Sequence, residues 1–253
     1  MFWILQKNRY DEIQFQEILK VLEEQSTSYE LVDLTPKMEP DVDPVGSVFV
    51  IGESALFNIS KEKGWLPGCF GEGLEYSNML DKYKNWALNE DSVIVPLKDV
   101  EEKWDRFFVR TNAAMKQFSG RVMTWKKFET VWKPRILKMT TVTENDLIVM
   151  ASFKKIYDEY RFYIVDGKVV TGSSIYNQER KVFYFNVTDA SNPELWAFAQ
   201  LMADLWSPNR AFCLGICSTV DGYRVTKVSA INSTCFCACD MKQFVEAINA
   251  MNF

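Results

Sequence analysis

The sequence predicts a mixed α+β / α/β chain, with a small doubly wound lobe over residues 1–100 and a larger α+β core over residues 101–253. Three observations predict it. In the first quarter of the chain, strand and helix patterns follow one another in a β-α-β-x-β order, which is how a doubly wound unit is written. From Arg106 onward, strands instead follow strands through hairpin turns, with helices interposed singly. And 253 residues with 47% hydrophobic and 25% charged content can bury the cores of two lobes.

The elements follow in order. FWILQ (2–6) reads as the first strand, and Asp11-Glu12 opens an amphipathic helix with Ile13, Phe15, Ile18, Leu19 and Leu22 as its apolar stripe. YELVDL (29–34) is a second strand, and the proline- and acid-rich TPKMEPDVDPV (35–45) connects it to the strand SVFVI (47–51). A helix is expected over 54–63. GWLPGCFGEG (64–73) reads as a turn capped by Trp65 and Phe70; a phosphate cradle is the other reading, disfavoured because no GK[ST] follows. Residues 76–88 suit a helix, and SVIVPL (92–97) a strand whose Pro96 places it near an edge.

In the core, Thr124 is an expected helix N-cap, DLIVM (146–150) a buried strand, and ASFKKI (151–156) the segment that leaves it. Residues 181–187 give another strand, Asn192-Pro193-Glu194 opens a helix to Leu205, FCLGIC (212–217) pairs with YRVTKV (223–228) through Asp221-Gly222, and Asp240 caps a last helix.

Two stretches carry the chemistry. RFFVRTNAAMKQFSG (106–120) sets Arg106 and Arg110 around an apolar strand and Lys116 in the loop beyond it. EYRFYIVDGKVVTGS (159–173) starts on Arg161, turns at Asp166-Gly167 and returns on Lys168. Guanidinium and ammonium groups at strand ends beside small-residue loops suit a polyanion such as a nucleoside triphosphate; a solvated hairpin is the bland reading of the same pattern.

Composition excludes several functions. No histidine is present, so nucleophile activation by imidazole and imidazole metal sites are ruled out. The net charge of −5 provides no global attraction to nucleic acid or an anionic membrane. The cluster Lys116, Arg121, Lys126, Lys127, Lys133, Arg135 and Lys138 fits a solvated face or pocket wall better than a nucleic-acid surface. Cysteines stand at 69, 213, 217, 235, 237 and 239; the last three alternate as on one face of a strand, and they read as small buried hydrophobes in a reducing cytoplasm. A thiolate metal site is the other reading, against which stands the lack of zinc-knuckle spacing. No membrane span or leader is expected, since FWIL is followed at once by QKNR, and the expected location is cytoplasmic.

With K-x-F-x-G (Lys116, Phe118, Gly120) downstream of FVR and E-x-R-F-x-x-x-D-G-K-V-V-T-G-S from Glu159, the chain resembles ATP-grasp proteins from about Val48 to Asp240. It is most similar to the divergent clade that includes the eukaryotic cell-division-cycle factor assisting assembly of translation initiation factor 2, and to small bacterial and phage members of that clade. The resemblance implies a small pre-ATP-grasp lobe and a nucleotide, ATP, held between two α+β lobes. It implies Arg110 and Lys116 at the phosphates, Ala151 and Ser152 along the adenine, and Arg161 and Lys168 completing a cationic wall. In many members the reaction is carboxylate–amine ligation through an acyl phosphate.

The family pattern holds magnesium with an Asp on one strand and a Glu and an Asn on its hairpin partner. Here those positions are Gly215, Lys227 and Ser229. An ammonium group only donates hydrogen bonds and cannot ligate a metal ion. The substitutions therefore speak against magnesium and for a non-catalytic or weakly active nucleotide- or polyanion-binding protein that acts through a protein partner, of which a phage-encoded, host-directed form is one version. The alternative is an active ATP-dependent carboxylate–amine ligase. It would use the single charge of Lys227 in place of the metal, or relocated carboxylates among Asp158, Glu159 and Asp240.

Overall fold

Strand pairing divides the described residues into three sheets. The computed structural model describes residues 1–7, 12–33, 44–115, 117–177 and 184–253. Asp11, most of the proline-rich connection, Lys116 and residues 181–183 of an expected strand lie outside them.

The first sheet comes from β1 (Phe2–Gln6), α1 (Glu12–Glu24), β2 (Tyr29–Val32), β3 (Val48–Ile51), α2 (Ser54–Glu62) and β4 (Pro67–Gly68), with parallel strands in the order β2-β1-β3-β4. Parallel strands covered on both faces need apolar side chains in both directions, and every residue of β3 is buried. The chain's C-terminal helix returns to this sheet, so that Trp3 and Phe49 share a core with Phe236, Phe244 and Ile248. Its Asn249 also accepts a 2.8 Å hydrogen bond from the Trp3 indole.

After α3 (Tyr76–Tyr83), the second sheet takes β5 (Val93–Pro96), β6 (Arg106–Thr111), β7 (Arg121–Thr124) and, beyond a helical stretch, β8 (Leu147–Ser152), antiparallel in the order β5-β8-β6-β7. Pro96 therefore does sit on an edge strand, where its missing N–H costs no ladder bond. This sheet draws β5 from before residue 101. Its helical cover runs through α4 (Trp125–Lys127), a π-helical turn (Phe128–Trp132) and α5 (Lys133–Met139). Thr124 caps it, its Oγ1 accepting from the Lys127 amide at 3.5 Å.

The third sheet comprises β9 (Asp158–Val165), β10 (Lys168–Asn177), β11 (Phe185–Val187), then beyond α6 (Pro193–Leu205) β12 (Ala211–Thr219) and β13 (Gly222–Ala230), in the order β11-β10-β9-β12-β13, before α7 (Met241–Asn249). Asp166 and Gly167 both have positive φ (46° and 76°), the type I′ geometry that an Asp-Gly hairpin favours. Side-chain alternation gives the sheet two unlike faces. Phe162, Ile164, Phe212, Leu214 and Ile216 pack against Leu195, Ala199 and Met202 of α6. Glu159, Arg161 and Tyr163 point the other way.

Two expectations about these elements are corrected. Ala151 and Ser152 are not in a loop; β8 continues through them, because Phe107 and Phe108 of β6 extend the ladder. The cysteines at 235, 237 and 239 do not share the face of a strand, because the chain turns there and Cys237 has φ +54°.

Candidate functional site

Between the second and third sheets lies a cavity of about 410 Å³, lined by Phe108, Arg110, Gly120 and Arg121 on one side and by Ile156, Glu159, Thr226 and Lys227 on the other. Its lining carries three cations, Arg110, Arg121 and Lys227, against the single carboxylate of Glu159.

Arg110 is the deepest of them, only 5% exposed. Strand β6 turns its side chain inward, where the guanidinium stacks over the Tyr76 ring at 4.4 Å and Nε donates to the Thr111 carbonyl at 2.8 Å. Among the described residues no carboxylate forms an ion pair with it. Burial pushes its pKa down, though nowhere near neutrality for a guanidinium. A buried cation without a counter-anion on a cavity wall is a site that an anion completes. Close by, Gly120 leaves room that a Cβ would lack: one would stand 2.7 Å from Phe108 Cζ and 3.4 Å from Arg110 Cβ.

Across the cavity, the three positions expected to carry metal ligands do meet on one face. Gly215 stands opposite Lys227 in the ladder, and Cys213 stands opposite Ser229. On its other side Gly215 neighbours Arg161. What fills the space is not oxygen. A Cβ on residue 215 would lie 2.9 Å from Lys227 Cγ and 3.2 Å from Cε, so the lysine stem occupies the place of the absent side chain. At its end the ammonium donates to Glu159 Oε1 at 3.1 Å, both side chains about a fifth exposed. A β-bulge beside Gly215 sets this register, with Thr226 as the extra residue; its Oγ1 is buried and has no hydrogen-bond partner among the described residues. Ser229 Oγ lies 3.3 Å from Thr234 Oγ1. These residues do not fit magnesium. A cation occupies the position, and the nearest carboxylate is already its partner.

Arg161 opens on a different cavity, of about 500 Å³, together with Glu53, Lys227, Ser229 and Cys235. Lys227 borders both spaces. Arg110 and Arg161 therefore do not share one pocket; the lysine stands between them. Arg161 is also engaged, since its Nη1 donates to the Cys235 carbonyl at 2.9 Å and to the Cys235 sulfur at 2.8 Å.

The other expected residues are placed as follows. Lys116 lies outside the described residues. Ala151 and Ser152 do not line the 410 Å³ cavity, and the Ser152 amide donates to Asp91 Oδ2 at 3.1 Å. Lys168 is not on a wall with Arg161. It pairs with Val165 beside the hairpin turn whereas Arg161 pairs with Ser173, because the tight turn sends Lys168 back at the far end of β9. Of the carboxylates considered as relocated ligands, Glu159 lines the cavity. Asp158 accepts from Ser218 Oγ at 2.8 Å, and Asp240 caps α7 by accepting from the Gln243 amide at 3.0 Å. Sequence reasoning missed Tyr76, Asn89 and Ile156. Arg121, named in the sequence only within the basic cluster read as a solvated face or pocket wall, lines this cavity.

Comparison with known proteins agrees with the fold. A family model described as an ATP-grasp domain, the third family of its clade, matches residues 30–248. No curated protein matches the chain significantly. Among solved structures, the chain is similar to the ATP-grasp ligase PsnB complexed with a minimal precursor (TM-score 0.60, 13% identity, 98% of each chain covered). It is also similar to a RimK domain ATP-grasp protein from Sphaerobacter thermophilus DSM 20745 (0.59, 13%, 92% of each chain). A third likeness is to D-alanine–D-alanine ligase from Bacillus anthracis (0.60, 11%, 98% of this chain and 92% of that one).

Proposed function

Since this chain belongs to the ATP-grasp domain family whose model spans most of its length, we propose that it binds the polyphosphate of a nucleotide, ATP foremost, in the cleft between its second and third sheets, with Lys227 in the place of magnesium. The observation that carries this reading is the facing of two cations across one cavity: Arg110, buried without a carboxylate partner among the described residues, and Lys227, whose stem fills the space above Gly215. The cavity's 410 Å³ falls within the range of about 300–1,000 Å³ usual for small-ligand sites. Arg121 adds a third positive group at the rim. A phosphate chain entering there gains charge-assisted hydrogen bonds that water does not match in a half-enclosed space.

A single ammonium neutralises less charge at a transferring phosphoryl group than divalent ions do, so chemistry in this cleft is weak or absent. The protein then acts by binding, through a protein partner. ATP should raise the thermal midpoint both with magnesium and with chelator present, by about 2.7 kcal/mol of stability at a hundredfold excess over Kd in each condition. No shift in either condition rejects the reading.

The second reading is active carboxylate–amine ligation. It is favoured by the nature of the similar structures, which include ligases for a peptide precursor and for D-alanine. Under it, Glu159 would be the carboxylate on the cavity wall available to hold a metal, which would supply charge neutralisation at the phosphates. Magnesium-dependent ADP formation by the unmodified protein would establish that reading in place of the first.

A further inference from the structure

The remaining unexplained chemistry lies at the edge of the second cavity. Arg161 is half-buried and, among the described residues, pairs with no carboxylate, and its Nε is buried without a hydrogen-bond partner there. The groups its Nη1 does meet are the Cys235 carbonyl, the Cys235 sulfur at 2.8 Å and the Cys237 sulfur at 3.5 Å. A buried cation needs an anion, and a thiolate is the anion this geometry offers. The left-handed backbone of Cys237 (φ +54°) folds the loop so that the two sulfurs lie 3.3 Å apart, about half the spacing of alternate residues in a strand. Cys235 is exposed, whereas Cys213, Cys217 and Cys239 are buried.

We propose that Cys235 and Cys237 form a thiol modification site, in which the Cys235 sulfur, held against Arg161, is oxidised by a hydroperoxide and Cys237 then closes the disulfide. In the first step the sulfur attacks the peroxide, an S–O bond forms and the O–O bond breaks. Sulfur is oxidised by two electrons and the peroxide is reduced to water or an alcohol, taking up one proton. In the second, the Cys237 sulfur displaces the hydroxyl from Cys235, an S–S bond replaces the S–O bond, and the Cys237 proton leaves in water. Ring closure over so short a loop in an exposed turn makes the product easily reduced again by a dithiol.

The electrostatics agree with the geometry. The hydrogen bond from Cys237, then the charge and hydrogen bond of Arg161 and the charge of Lys227, lower the Cys235 thiol against its partial desolvation. The same hydrogen bond, with burial, pushes Cys237 up. The groups facing Cys235 are Arg161 and Tyr163 from β9, Cys213 from β12, Lys227 from β13, Cys237 in its own loop and Glu53 ahead of α2.

This inference does not depend on nucleotide binding, and its test uses none. The full chain is alkylated with iodoacetamide at pH 6 and pH 8, and the rate at Cys235 is read by peptide mass spectrometry. A thiolate already formed gives rates within about threefold, whereas an ordinary thiol of pKa about 8.5 speeds up roughly 80-fold over that interval. One equivalent of hydrogen peroxide should then remove two hydrogens and join Cys235 to Cys237. In Cys237→Ser it should instead leave a sulfenic acid on Cys235 that dimedone captures. Alkylation of Cys235 that climbs with pH like an ordinary thiol, or peroxide treatment that leaves both sulfurs reduced, overturns the proposal.

Discussion

Lys227 lies across Gly215. The two residues face each other in the β12–β13 ladder, and the lysine's Cγ and Cε stand 2.9 and 3.2 Å from where a Cβ at 215 would be. A glycine with no side chain and a lysine whose stem covers it form one unit: each makes sense only with the other. The two departures from the metal-binding pattern are thus physically coupled, and the ammonium that results is anchored on Glu159 at 3.1 Å.

The coupling predicts non-additive stabilities. Gly215→Asp alone forces its Cβ into Lys227 and to 2.7 Å from Thr226 Oγ1, and overpacking of this kind costs about 1–3 kcal/mol. Combined with Lys227→Ala, which removes both Cγ and Cε, the clash with the lysine stem should be relieved, giving a favourable interaction of about 1 kcal/mol in urea unfolding of the four-membered cycle. Strict additivity would mean that the lysine stem moves aside freely.

Glu159→Gln separates the two functional readings. Removing the carboxylate leaves Lys227 without its anionic partner and should lower stability by about 1–2 kcal/mol. It also removes the one negative charge from the cavity, so ATP affinity should rise several-fold. A fall in affinity instead, confined to solutions with magnesium, would identify Glu159 as a metal ligand and favour the ligase.

Arg110→Met should act in opposite directions on stability and binding. Replacing a buried, unpaired guanidinium by an apolar chain of similar length is neutral or stabilising in urea unfolding. Loss of its hydrogen bonds to phosphate should weaken ATP binding by about 10- to 100-fold, or 1.5–3 kcal/mol. Unchanged affinity in a well-folded variant would remove Arg110 from the site.

At the end of β8, Asp91 accepts from the Ser152 amide at 3.1 Å and pairs with Lys154. Burial pushes its carboxyl up, but the Lys154 ammonium and the Ser152 donors outweigh burial and hold it below the usual carboxylate value. A lowered folded pKa means that the tie is fully present above about pH 4 and is lost as pH falls through the folded value. Amide exchange at Ser152 should therefore lose protection in acid, and Asp91→Asn should flatten that dependence. An identical acid profile in the variant would contradict the assignment.

Much of this is legible in the sequence, for a stated reason. Strand alternation puts Lys227 and Ser229 on one face, but period-two pairing out of the Asp221-Gly222 turn would set Gly215 opposite Thr226; only the bulge at Thr226 brings Gly215 opposite Lys227. The Asp166-Gly167 turn is legible because only a few residue types accept its backbone angles. What is not legible is which strand lies beside which. That Glu159 reaches Lys227 depends on β9 pairing with β12, across residues far apart in the chain. The conformation of Cys237 likewise escapes a reading by alternation, which has no term for a left-handed residue. Lys168 stands apart from Arg161 for a simpler reason: it pairs with Val165 beside the turn, whereas Arg161 pairs with Ser173 farther along β9.

Calorimetric titration of ATP into the unmodified protein, once with magnesium and once with excess chelator, tests the central claim most directly. If Lys227 stands where the metal would, both titrations should show binding, with affinities within about tenfold, a difference below roughly 1.4 kcal/mol. Binding seen only with magnesium would contradict the claim that a lysine has taken the metal's place.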